Sequence, residues 1–314
     1  MKAVILDAET LGSDVDLSPL EAQLTGLHCY ARTEPENVLS RLQGADIAIS
    51  NKVVLDQAVL AQLPDLKLIC VLATGTNNVD GKAAAEQGIE VSNVVAYGSD
   101  SVAQHTLMLT LYLAGQQPRY QREIRQGHWQ KSPQFCLMQY PTLQLSGKSA
   151  VIVGQGELGT RVASLYEAFG MKVSFAARPG KTDDKRQPLD KLVQSADVIS
   201  LHCPLTAETN ELINASLLSK TKRGCLLVNC ARGGLINEAD ALKALREGIL
   251  AGLAVDVLNQ EPPRGGHIFL DAMQEDLNLI VTPHHAWISP EARQTVVQKT
   301  AENVTRFLAT YRGR

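Results

Sequence analysis

Three apolar runs in the second half of the chain each lead into a side chain able to do acid–base or anion chemistry. Arg232 follows Cys225–Cys230, Glu261 comes just after Gly252–Val257, and His284 follows Leu277–Thr282. The planar guanidinium of arginine can fork a carboxylate and polarise the carbonyl beside it. An imidazole titrates near neutrality, so it can give or take the proton of a hydroxyl. A carboxylate next to that imidazole favours the protonated form and fixes its orientation. Together they suit the interconversion of a 2-keto acid and its 2-hydroxy acid. His285 adjoins His284 and is its rival for the acid–base place.

Such a reaction needs a hydride that no side chain supplies. The stretch Ser149-Ala-Val-Ile-Val-Gly-Gln-Gly-Glu-Leu-Gly159 answers that need. It is a short apolar run followed by Gly154, Gly156 and Gly159 in the spacing G-x-G-x-x-G, and then by a helical pattern to Gly170. Gly154 permits the turn, Gly156 lets the backbone approach a pyrophosphate, and Gly159 lets helix and strand pack closely. The pyrophosphate would rest on the first helical amides, around Glu157 and Leu158.

The elements that must position these groups alternate between strand and helix. Strand-like runs fall at Ala3–Ala8, Leu27–Ala31, Asp46–Ser50, Leu66–Ala73 and Ile89–Val94. More follow at Ser149–Val153, Lys172–Ala177, Asp197–Cys203, Cys225–Cys230, Gly252–Val257 and Leu277–Thr282. The pattern predicts an α/β protein with two doubly wound parallel sheets, which place ligands at the carboxyl ends of their strands. Between the halves, Asp100–Gly115 reads as a helix apolar nearly all round, and therefore buried. The stretch 116–146 reads as a long irregular arm that needs a cover, and a second subunit would supply it.

Composition excludes several classes of function. The chain is 45% hydrophobic and 20% charged with a net charge of −3, which argues against a nucleic-acid partner. No apolar run is long enough for a membrane span or a signal peptide, so a cytoplasmic location is expected. The six cysteines show neither C-x-x-C nor zinc spacing, so they read as reduced, mostly buried thiols with no metal role. Among the other histidines, His105 reads as a core or interface residue, His28 and His202 as core residues, and His128 and His267 as loop residues.

The chain resembles the D-2-hydroxyacid dehydrogenase family along nearly its whole length. The motifs are Asn51-Lys-Val, Ala73-Thr-Gly-Thr-Asn-Asn-Val-Asp80, Ser101-Val-Ala-Gln-His105, Gly154-Gln-Gly-Glu-Leu-Gly159 and Leu201-His-Cys-Pro-Leu-Thr206. They continue with Asn229-Cys-Ala-Arg-Gly-Gly234, Val255-Asp-Val, Glu261-Pro and Thr282-Pro-His-His-Ala-Trp287. Asn51–Val53, Thr74–Asn78 and Trp129 with Ser132–Cys136 are similar to the glycerate dehydrogenase, or hydroxypyruvate reductase, branch.

The resemblance implies a discontinuous substrate domain, residues 1–99 with 286–314, and a Rossmann cofactor domain, 100–285. It places the active site in a cleft closed by hinge motion, with a homodimer built on the cofactor domain through the arm. It makes Arg232, Glu261 and His284 catalytic, and gives the substrate Lys52, Thr74, Gly75 and Arg232. Cofactor contacts would come from Gly154, Gly156, Glu157, Leu158, Gly159, Arg178, Cys203 and Pro204. Cys230, Ala231, Arg232, Asp256, His284 and Ala286 complete them, with Asp256 on the nicotinamide amide.

Two positions depart from the pattern. Where NAD-using relatives end the second strand on an acid, this chain has Ala177 and then Arg178. That suits a 2′-phosphate and hence NADP; the alternative is NAD, with Arg178 stacked on adenine. His285 stands where relatives carry an apolar residue. The expected reaction is reduction of hydroxypyruvate to D-glycerate, or of glyoxylate to glycolate. Phosphoglycerate dehydrogenase is the same-class alternative, and a dinucleotide-sensing corepressor-like protein is the alternative of another class.

Overall fold

The computed structural model describes residues 1–181 and 183–311. Contacts divide the chain into two units, Met1–Gly98 with Ile288–Arg314, and Ser99–Trp287. The first unit holds β1 (Lys2–Ile5), β2 (Gly26–Cys29), β3 (Ile47–Ser50), β4 (Leu68–Val71) and β5 (Glu90–Asn93). They pair in parallel in the order β2-β1-β3-β4-β5. β3 and β4 are buried along their whole length, as expected of central parallel strands covered on both faces. Val4, Ala48 and Ile69 pack on one face with Leu42 and Leu60. Ile5, Ile49 and Leu68 pack on the other against Val296, Val304 and Phe307 of the helix Pro290–Tyr311. That helix brings the end of the chain back to the first unit.

The second unit holds β6 (Ser149–Val153), β7 (Lys172–Phe175), β8 (Val198–Leu201), β9 (Cys225–Asn229), β10 (Leu250–Val255) and β11 (Leu279–Val281). Their order is β11-β10-β9-β8-β6-β7, again all parallel. The order reverses at β6, so the loop after β6 lies at the topological switch point where this architecture binds ligands.

Several expectations need correction. The helix Ser99–Ala114 is buried on one face only, through Ala103, Leu109 and Leu113. Met108, Leu111 and Tyr112 remain 39%, 37% and 50% exposed. The arm is not irregular throughout, because Gln117–Arg125 is helical. Pro118 lies in its first turn, where a missing N–H costs nothing. Beyond that helix, Trp129, Phe135 and Met138 stay exposed. His28 is on the surface rather than in the core, because β2 is an edge strand. His267 is no solvated loop residue. Its side chain is 7% exposed, it pairs with Glu238 at 3.0 Å, and its Nδ1 accepts the Phe269 N–H. Cys70, Cys203, Cys225 and Cys230 are buried, whereas Cys29 is exposed and Cys136 half-buried; all six are free thiols.

Candidate active site

The three glycines after β6 have different physical reasons. Gly154 has φ 108°, and a Cβ there would come within 2.5 Å of the His202 carbonyl oxygen. A Cβ on Gly159 would fall 1.9 Å from the carbonyl oxygen of Gly154. Both are required by the chain's own packing. Gly156 is not: its φ is −85°, and a Cβ would meet nothing within 4 Å. Its bareness faces open space at the start of the helix Glu157–Ala168, where the first amides have no partner within the helix. That is a cradle for a diphosphate, so the residues present fit a dinucleotide. Further along the same edge, Cys203 is buried and Pro204 exposed after β8, and Cys230 and Ala231 are buried after β9.

The loop after β7 carries Ala177 and Arg178. Arg178 is exposed, and its backbone N–H donates to Asp184 Oδ2 at 2.9 Å. The Arg186 guanidinium grips the same carboxylate and reaches Gln155 Oε1, inside the glycine loop, at 2.9 Å. That ion pair holds the Asp184 carboxyl well below the usual carboxylate range. Sequence spacing missed Asp184 and Arg186. They lie beyond the point where the family pattern looks for an acid, and only the loop's return beside Ala177 brings them near.

The chemical groups meet at the ends of β9, β10 and β11. His284 Nδ1 lies 2.6 Å from Glu261 Oε2, while Glu261 Oε1 accepts the Leu258 N–H at 2.8 Å. Both side chains are 32% exposed, so the pair opens to solvent rather than being sealed in the core. His284 has φ 53°, the left-handed region that a residue with a side chain seldom adopts. Three successive amides keep it there by donating to Asp256. His284 N–H reaches the Asp256 carbonyl at 2.8 Å, His285 N–H reaches Oδ1 at 3.1 Å, and Ala286 N–H reaches Oδ2 at 3.0 Å. Asp256 is itself 1% exposed and also accepts the Thr282 hydroxyl at 2.6 Å. In this geometry it anchors the histidine turn. Ala286 closes the turn by accepting the Ser101 hydroxyl at 2.7 Å.

Arg232 is extended and exposed, with one guanidinium N–H on the Ala231 carbonyl at 2.7 Å. Gly233 lets its loop press against the β10 loop, since a Cβ there would fall 2.2 Å from the Leu258 backbone. The remaining predicted residues belong to the first unit. Lys52 follows β3, and its backbone N–H donates to Asp7 Oδ2 at 2.7 Å. Thr74 and Gly75 follow β4; the Thr74 hydroxyl donates to the Val94 carbonyl at 3.1 Å, and Asn93 Nδ2 donates to the Thr74 carbonyl at 2.7 Å. Each first-unit residue therefore sits past the carboxyl end of a central strand.

The model of the D-isomer specific 2-hydroxyacid dehydrogenase NAD binding domain matches residues 107–286. The chain is 43% identical to the glycerate dehydrogenase of Methylorubrum extorquens, covering 98% of this chain and 96% of the relative. This chain belongs to the D-2-hydroxyacid dehydrogenase family. The dehydrogenase is also 36% identical to the hydroxypyruvate reductase of Blautia hydrogenotrophica, over 98% of this chain and 97% of the relative. Among solved structures, the TT0316 protein of Thermus thermophilus superposes with a TM-score of 0.79 at 29% identity, over 99% and 97% of the two chains. The chain is thus an oxidoreductase of 2-hydroxyacids with an NAD(P)-binding domain in its second unit. No helix among the described residues is long and apolar enough to cross a membrane.

Proposed function

We propose that this dehydrogenase reduces hydroxypyruvate to D-glycerate and prefers NADPH, with NADH as the alternative. The observation that carries the mechanism is the His284–Glu261 contact at 2.6 Å on the strand-end edge that also bears Arg232. When bound, the reduced nicotinamide supplies the hydride. Arg232 forks the substrate carboxylate and polarises the keto oxygen. His284 delivers the proton to that oxygen as the hydroxyl forms, and the Glu261 carboxylate fixes the orientation of its imidazole. Thr74 and Gly75 serve the carboxylate through backbone amides, and Lys52 adds positive charge. Gly154, Gly156 and Gly159 admit the diphosphate, and Arg178 pairs with a 2′-phosphate. The names of the two relatives support hydroxypyruvate, and Ala177 with Arg178 supports NADPH.

The test is kcat/KM for hydroxypyruvate, glyoxylate, pyruvate and 3-phosphohydroxypyruvate with each dinucleotide. The highest value is expected for hydroxypyruvate with NADPH. A larger value for another acid, or for NADH, overturns that part of the reading. Glu261→Gln should lower kcat for reduction by about tenfold or more with dinucleotide affinity unchanged; an unchanged kcat removes Glu261 from its role.

The same reading makes the enzyme a cytoplasmic homodimer. Met108, Leu111 and Tyr112 on the helix and Trp129, Phe135 and Met138 in the arm present apolar surface for a second copy. Six free thiols fit a reducing compartment. Light scattering should give twice the chain mass, and a stable monomer would contradict the dimer.

A further inference from the structure

His285 has no part in the roles above, yet its ring is half-buried beside Asp256 and His105. Its Nδ1 atom is buried and makes no hydrogen bond, although the side chain as a whole is 38% exposed. That nitrogen lies 3.6 Å from Asp256 Oδ1, beyond hydrogen-bond length. His105 Nε2, on the helix Ser99–Ala114, lies 3.5 Å from the same oxygen. The two rings meet edge to face with centroids 4.8 Å apart. Two imidazole nitrogens and a carboxylate oxygen thus lie within 4.8 Å of one another.

We propose that His105 Nε2, Asp256 Oδ1 and His285 Nδ1 form a binding site for a borderline divalent cation such as zinc, cobalt or nickel. Bonds of about 2.0–2.2 Å in a tetrahedral site place ligand atoms roughly 3.3–3.5 Å apart. Two of the three separations here, 3.5 and 3.6 Å, are close to that spacing. Mixed imidazole and carboxylate donors favour borderline first-row dications over magnesium or calcium. The Asp256 carboxylate is 1% exposed, so a cation reaching it is little screened by water.

The Thr282 hydroxyl now bridges the cluster, 2.6 Å from Asp256 Oδ1 and 3.1 Å from His105 Nε2. It must rotate away as a cation enters, which keeps the affinity below that of a structural zinc site. Because Oδ1 also holds the His285 N–H, an occupied site would disturb the His284 turn and inhibit reduction. That consequence rests on the role proposed for His284; the binding does not.

The untagged, chelator-treated full chain is titrated with cobalt(II) and zinc(II) by calorimetry, with the cobalt absorption spectrum recorded alongside. One ion per chain is expected, with visible ligand-field bands and no thiolate charge-transfer band. His285→Ala and His285→Phe should each weaken binding by about 100-fold or more, since even a partner one shell further out is worth about 10–100-fold. The phenylalanine variant keeps an aromatic ring in place, and a thermal melt of each variant checks that it is folded. Undiminished binding in both variants, the absence of saturable binding, or a thiolate band would overturn the site. Loss of binding in His284→Gln but not in the His285 variants would also overturn it, by moving the ion to the His284–Glu261 pair. Zinc binding without inhibition would support the site and overturn only its link to His284.

Discussion

Two loops at the carboxyl edge of the same sheet, one after β11 and one after β7, are held in opposite ways. The histidine turn after β11 is pinned by three consecutive amides on one buried aspartate, which fixes a left-handed backbone at His284. The loop after β7 is held by an ion pair between Asp184 and Arg186, and it leaves Arg178 exposed. The first arrangement is costly to disturb, because a buried acceptor that loses its donors is not rescued by water. The second leaves Arg178 open to change, because the loop is held through the Arg178 backbone N–H and the half-buried Asp184 and Arg186, not through the exposed Arg178 side chain. The rigid loop carries the histidine that touches Glu261, and the other carries the exposed Arg178.

Substitutions on the two loops should therefore differ in kind. The largest effect is expected at the pinned turn. His284→Gln should lower kcat for reduction by about 10²–10⁴-fold, the usual contribution of a positioned general acid, and leave dinucleotide affinity nearly unchanged. If His285→Ala is the more damaging change in steady-state kinetics, the acid belongs to the neighbouring residue.

Asp256→Asn tests the anchor itself. It replaces a carboxylate oxygen that accepts amide donors by an amide that cannot, at an expected loss of about 1–3 kcal/mol. Thermal melts should show a fall of several degrees, accompanied by a lower kcat. An unchanged melting temperature would mean that the turn holds without Asp256, and the contrast between the loops would collapse.

On the loop after β7, Arg178→Ala should leave the melting temperature where it is. It should reduce kcat/KM for NADPH by about tenfold or more, since a charge-assisted contact is worth roughly 1.5–3 kcal/mol. NADH should be affected less. Equal losses with both cofactors would favour adenine stacking over phosphate recognition.

A last prediction, which touches neither loop, concerns pH at a histidine outside both. Burial pushes His202 down to about 3 from its ordinary value of 6.5. Its folded form resists the proton that the unfolded chain takes up, so between those values stability falls as pH falls. Above 6.5 the imidazole is neutral in both states and contributes no slope. Melting temperatures measured from pH 7 to pH 4 should drop less steeply in His202→Leu than in the parent chain. Parallel curves would show that other groups carry the acid sensitivity.

The sequence determined by itself whatever depends on local pattern. Eleven apolar runs became the eleven parallel strands found among the described residues; central ones such as β3, β4, β8 and β9 are apolar throughout because both faces are covered, while the edge strands β2 and β7 keep exposed residues. The glycine spacing located the turn after β6, because Gly159 is demanded by the Gly154 carbonyl a few residues before it, although the reason for Gly154 itself, the His202 backbone after β8, lies far along the chain. The placement of Arg232, Glu261 and His284 on one edge was legible because each follows the end of its own strand, and parallel strands bring such ends together. Tertiary structure alone decided what depends on residues far apart in the chain. No spacing rule joins His105 on a helix to Asp256 and His285 on two strand ends, so the expectation of no metal role could not weigh that cluster. Asp184 and Arg186 reach Arg178 and Gln155 only because their loop folds back on Ala177. The half-exposed helix Ser99–Ala114 looked fully buried because an apolar composition is the same for a core and for a face awaiting a partner. Only the packed neighbours, or their absence from one side, distinguish the two.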